Sequence, residues 1–110
     1  MKVAILLKSG PRTNEAERAF RTAADMLAQG RSVSLFLLQE AVRFACPAGK
    51  CTDSLTLREL LDKNLEVHVL AHDAKLRGID EPPAYPEISE GTYDSLVDLM
   101  DSCERVIGIL

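Results

Sequence analysis

Residues 57–79 read LRELLDKNLEVHVLAHDAKLRGI, and three elements follow one another within them. Leu57, Leu60 and Leu61 recur at helical spacing, and Asn64 suits the end of that helix. Val67 to Ala71 is a short apolar run of the kind a strand shows when buried on both faces, with His68 set between two valines. His72 to Gly78 then reads as one or two helical turns closed by the glycine. A buried strand flanked on both sides by helix is the repeating unit of an α/β fold.

The alternation extends in both directions. Val3 to Leu7 is a second apolar run, ended by Ser9-Gly10-Pro11. Asn14 is expected to cap the next helix, with Glu15 and Glu17 in its first turn and Ala16, Ala19, Phe20, Ala23, Ala24 and Leu27 along one stripe up to Gly30. Val33 to Leu38 is another strand, and Gln39 to Phe44 starts a short helix. Residues 45–54 form a loop of small residues in which Asp53 or Ser54 can cap the helix that follows. Beyond Gly78, three prolines make Asp80 to Pro86 a loop, Glu87 to Ser89 is a short strand, Gly91 to Met100 carries helical spacing and Val106 to Leu110 is the last strand. This order implies one α/β domain over residues 1–110, with a mostly parallel sheet and helices on both of its faces.

Composition narrows the function classes. The 110 residues are 46% hydrophobic and 27% charged, enough to bury a core, and without Trp that core is built from Leu, Val, Ile and Ala. A net charge of -4 argues against nucleic acid as a partner and against an acidic membrane surface. No apolar run approaches a membrane span, and Met1 to Leu7 is too short for a secretory leader, so the expected location is the cytoplasm. Three cysteines, an odd number, fit a reducing compartment.

In open parallel sheets, ligands bind outside the carboxyl ends of the strands. Those ends carry Lys8-Ser9-Gly10, Leu38-Gln39-Glu40 and Ala71-His72-Asp73. Ser9 and its neighbours can hold an anion, and His72 can act as a general base or electrostatic partner near neutral pH. Asp73 is read first as the N-cap of the turn that follows it. His68, inside a strand, is expected to pack on a sheet face or at a subunit contact, and Cys103 to be a half-buried structural thiol. Cys46 and Cys51 form a C-x4-C pair in the small-residue loop, with Lys50 adjacent and Arg43 a turn earlier. Cations nearby lower a thiol's pKa, so either cysteine can act as a nucleophile on sulfane sulfur and the other can resolve the product as a disulfide. A zinc site from Cys46, Cys51 and His72 is an alternative, but the spacing matches no zinc pattern. No nucleotide-binding glycine motif is present, and no cofactor or metal is expected.

Four stretches carry a family resemblance: KVAILLKSGP (2–11), GRSVSLFLLQEAVRFA (30–45), LRELLDKNLEVHVLAHDAKLRGI (57–79) and SLVDLMDSCERVIGIL (95–110). Their order and spacing resemble the DsrE/DsrF-like family, which includes the Tus sulfur-relay subunits. The resemblance implies a three-layer α/β/α sandwich around a five-stranded, mainly parallel sheet. It also implies assembly as a trimer or hexamer, from one chain or from paralogues, and sulfur donor and acceptor proteins as partners. Some relatives carry a persulfide on a cysteine just after the third strand, where this chain has Leu70; Arg77-Gly78 matches the family's Arg-Gly turn. The expectation is a cytoplasmic sulfur-relay or sulfur-oxidation accessory protein with Cys51 or Cys46 as carrier, His72 nearby, and Ser9, Gln39, Asp73 and Arg77 around the substrate. The alternatives are a non-catalytic assembly subunit and a small thiol-redox or metal-binding module.

Overall fold

The computed structural model describes residues 2–45, 54–80 and 82–109, with backbone alone for 54–56. Strands β1 (Lys2–Leu7), β2 (Ser32–Leu37), β3 (Glu66–Leu70), β4 (Ile88–Gly91) and β5 (Arg105–Ile109) alternate with helices α1 (Asn14–Ala28), α2 (Ser54–Asp62), α3 (Ala71–Leu76) and α4 (Tyr93–Ser102). A 3-10 segment, Gln39–Ala45, leads out of β2. All neighbouring strands are parallel, in the order β4-β3-β2-β1-β5. The strand order reverses between β1 and β5, because β5 joins the side of β1 that β2 does not occupy.

Alternation along each strand sorts the core into two unequal halves. Val3, Ile5 and Leu7, Val33, Leu35 and Leu37, and Val67 and Val69 face one way, against Phe20 and the alanines of α1, Leu57, Leu60 and Leu61 of α2, and Ala41, Val42 and Phe44 of the 3-10 segment. The opposite face holds a smaller cluster of Ala4, Phe36, Leu70 and Leu99, with Leu6, Leu38, Leu96 and Cys103 half-buried around it. Among the described residues, helix α4 supplies its cover through Leu96 and Leu99. Cys103 is half-buried, as expected, and caps the C-terminus of α4.

Several ends differ from the sequence reading. Helix α1 is capped by Thr13, not Asn14: the Thr13 hydroxyl accepts from the Ala16 N–H at 3.1 Å and donates to the Gly10 carbonyl at 2.8 Å. A β-branched residue suits the extended cap conformation, and one hydroxyl here serves both the loop and the helix. Strand β3 stops at Leu70, and Ala71 already belongs to α3. The fourth strand runs Ile88–Gly91 rather than Glu87 to Ser89. Gly91 is required there by contact, since a Cβ on it would lie 2.6 Å from the Phe36 ring. Gly30 and Gly78 have φ of +80° and +72° and follow α1 and α3, the left-handed closure that their positions in the sequence suggest.

Candidate functional site

The carboxyl ends of β1, β2 and β3 are laced together by short polar contacts. Gln39 leaves β2 with φ +49°, unusual for a side chain of its type, and its N–H points at the Asp73 carboxylate, 2.7 Å away. Asp73 is buried and sits in the first turn of α3, whose cap is Leu70 without a side-chain bond. The reading of Asp73 as an N-cap is therefore corrected. Its carboxylate is committed to a backbone donor on another element, which needs a partner once it is taken out of water.

Arg77 extends the same clasp. Its Nε donates to Glu40 at 2.5 Å and one terminal nitrogen donates to the Asp73 carbonyl at 3.2 Å. The other Glu40 oxygen accepts from Arg43 at 2.7 Å. Hydrogen bonds from Arg43 first, and from Arg77, hold the Glu40 carboxyl below its ordinary range. The β1–α1 loop lies against this clasp: the Lys8 carbonyl accepts from the Ala41 N–H, and a Cβ on Gly10 would meet Glu40 at 3.2 Å. Ser9 sits half-buried in that loop. Ser9, Gln39, Asp73 and Arg77 thus lie along one edge, with Gln39, Asp73 and Arg77 bonded into a brace between the 3-10 segment and α3. Glu40, its hub, was legible in the sequence only as part of the edge triplet.

His72 stands on the outer side of this brace. It is exposed, and its ring tilts against Tyr93 of α4 at 5.7 Å between centroids. His68 packs on the second face as expected. It stacks on Phe36 at 5.6 Å, and its Nε2 lies 2.7 Å from Glu66, whose second oxygen accepts from the buried Ser34 hydroxyl at 3.1 Å. Burial pushes the Glu66 carboxyl upward, but the hydrogen bonds and charges of His68, Ser34 and Lys2 outweigh it and hold the group low.

A cavity of about 270 Å³ opens beside the brace, lined by Val42, Ala45, Val69, Ala71, Lys75 and Glu90 among others. Lys75 is a cation at this cavity that sequence reading passed over; its place one helical turn after Ala71, at a strand's carboxyl end, was the available signal. A larger hollow of about 530 Å³ lies between α1 and α2 over Phe20 and Phe44, and touches none of Ser9, Gln39, His72, Asp73 or Arg77. Cys46 and Cys51, the sequence candidates for nucleophiles, lie outside the described residues. Among the described residues, no three His, Cys, Asp or Glu side chains gather as a metal site, and no helix is long and apolar enough to cross a membrane.

The model of the DsrE/DsrF-like family matches residues 1–109. The chain belongs to that family. No curated protein matches the chain in sequence. Among solved structures, the DsrE/DsrF-like fold here superimposes on the ychN protein from E. coli with a TM-score of 0.86, at 23% identity over 98% of both chains. It also matches MTH1491, a protein of unknown function from Methanobacterium thermoautotrophicum, with a TM-score of 0.83 at 9% identity over 97% of both chains. A third likeness is to BT1422 from Bacteroides thetaiotaomicron, with a TM-score of 0.75 at 12% identity over 97% of this chain and 93% of that one. At these identities the likeness speaks to fold. In this DsrE/DsrF-like chain, Leu70 is the last residue of β3, 1% exposed in the second cluster and without nucleophilic chemistry.

Proposed function

We propose that this DsrE/DsrF-like chain works in sulfur relay in the cytoplasm, holding sulfane sulfur as a persulfide on Cys46 or Cys51. The observation that carries this reading is the placement of what remains. Leu70 cannot carry sulfur, and Cys103 sits at the other end of the sheet, where the next residue, Glu104, bonds to Lys2 at the start of β1. The chain enters the segment holding Cys46 and Cys51 directly from Ala45, which lines the small cavity at the carboxyl edge. Lys75 lines that cavity and His72 follows β3 at the same edge; a cation beside a thiol favours the thiolate, and a histidine can serve as its base.

In the transfer, the cysteine thiolate attacks the outer sulfur of a donor persulfide. One S–S bond forms, the donor's S–S bond breaks, and the donor thiolate leaves and takes up a proton, so no external oxidant is consumed. Donor and acceptor are proteins presenting thiols. The expected result is a mass gain of one sulfur on Cys46 or Cys51 after incubation with a persulfide donor, read by peptide mass spectrometry. The gain is lost in the Cys46→Ser/Cys51→Ser double variant and slowed in His72→Ala. Loading of neither cysteine in the wild-type chain would remove this reading.

A second reading, an assembly subunit, is favoured by the exposed side of α4. Tyr93, Val97 and Met100 are 56%, 54% and 37% exposed and fall on one stripe of the helix. We propose that this stripe docks another DsrE-like protomer. Val97→Asp is then expected to lower the molar mass seen by light scattering, with the thermal stability of the fold unchanged. A wild-type chain that stays monomeric, alone and with paralogues, would end this reading.

A further inference from the structure

Glu90 puts a carboxylate where the pattern of its strand asks for an apolar side chain. Strand β4 pairs with β3 in parallel, with Ile88 beside Val67 and Glu90 beside Val69. Ile88, Val67 and Val69 all belong to the larger core, so alternation along β4 carries Glu90 to that same face. There it lines the cavity of about 270 Å³ that Val69 also lines.

Two further charges meet at this cavity. Lys75 comes from α3, and Asp80 from the loop that follows Gly78. Among the described residues, none of Lys75, Asp80 and Glu90 is ion-paired, although the chain's arginines at 21, 43, 58 and 77 all are. One cation and two carboxylates thus border a single hollow without neutralising one another. The walls between them are apolar, with Val42, Val69 and Ile79. The volume falls below the about 300–1,000 Å³ that drug-sized ligands occupy, and suits a molecule on the scale of one amino acid.

Charge sets the class of that molecule. A simple anion would be drawn by Lys75 and repelled by Asp80 and Glu90, and a simple amine would meet the converse. A zwitterion satisfies both signs, with its carboxylate on Lys75 and its ammonium on Glu90 and Asp80. The apolar walls then take its side chain, and soft, polarizable sulfur packs well against such walls.

We propose that this cavity binds a free α-amino acid bearing sulfur, whose persulfide serves the relay as a small-molecule donor beside the protein ones. The sulfur in this assignment rests on the relay reading; the zwitterion rests on the three charges alone. The transfer balances as it does with a protein donor. The cysteine thiolate takes the outer sulfur, the donor's S–S bond breaks, and the free aminothiol leaves as a thiolate and takes up a proton.

The test uses the full chain and an unreactive probe, S-methyl-L-cysteine, beside two analogues that lack one charge each, methylthiopropionate and methylthioethylamine. Two-dimensional NMR follows the amides of Ala71, Ala74 and Ile79 at the cavity. Expected is a Kd on the order of millimolar for the zwitterion, about tenfold tighter than for either analogue, the weight of one charge-assisted hydrogen bond. Lys75→Met should bring the zwitterion to the affinity of the amine. Asp80→Asn/Glu90→Gln should bring it to the affinity of the propionate. All three side chains are exposed, and circular dichroism establishes that each variant is folded. Equal affinities for the three probes, or no shifts at tens of millimolar, overturn the assignment. Zwitterion binding with no sulfur gained from cysteine persulfide sustains the amino-acid site and removes the relay reading. Sulfur gained from a protein persulfide with no binding of the probe overturns the site and leaves the relay.

Discussion

Replacing Phe36 with alanine is expected to lower the stability of this chain by about 3–5 kcal/mol, the usual loss for a fully buried phenylalanine. Phe36 is 0% exposed and is the largest side chain of the smaller cluster, which packs under α4. Removing the ring leaves a cavity between α4 and the sheet, which adds to the transfer loss. The ring also supports two contacts that alanine cannot supply: the His68 stack at 5.6 Å and the close approach of Gly91, the last residue of β4. Domains of this size hold only about 5–15 kcal/mol in total. The Tm should accordingly fall on the order of 10–25 °C. Urea titration checks it, through a lower midpoint at unchanged slope. A loss below about 1 kcal/mol, the size of a surface substitution, would mean that this face is not tightly packed. Because Leu70 belongs to the same cluster, the variant also reports how firmly the strand end beside the candidate site is held.

The second large effect is at Asp73. Asp73→Ala should cost about 1.5–3 kcal/mol, the range for a hydrogen bond to a charged group, since the Gln39 N–H would lose its acceptor. Asp73→Asn keeps a carbonyl oxygen at the same reach and should recover most of that loss. Arg77 bonds to the Asp73 carbonyl rather than to its carboxylate, so its anchoring survives both changes. Hydrogen exchange separates these contributions: the Gln39 amide should exchange faster in Asp73→Ala and close to normally in Asp73→Asn. Equal exchange in wild type and Asp73→Ala would show that the brace does not depend on this bond. If sulfur loading on the segment after Ala45 also falls in Asp73→Ala, the brace positions the 3-10 segment that leads into it; Asp73 would then be a positioning residue.

The elements were legible because they follow from local spacing. Short, largely apolar runs at Val3 to Leu7, Val33 to Leu38 and Val67 to Leu70, bounded by polar residues and glycine, read as strands sealed on both sides, and the alanine stripe of α1 reads as a face that lies flat on such a sheet. Termini were less legible, since Thr13 and Asn14 are both good caps and the choice was made by the Gly10 carbonyl within reach of Thr13. The candidate site was legible as an edge and not as a network. Gln39 and Asp73 are 34 residues apart, and nothing near either one indicates that a backbone N–H and a carboxylate will meet.

The sequence by itself determined that this is an alternating α/β chain of the DsrE/DsrF type and which residues lie in its strands. Only the tertiary structure decided that β5 takes the free side of β1, that α4 packs on the second face, and that Asp73 braces a neighbouring element instead of capping its own helix. The division has one physical cause. Hydrophobic period and backbone preference act within a turn or a few residues, whereas strand order, the width of a layer and the partner of a buried polar group are settled by segments far apart in the chain competing for the same core.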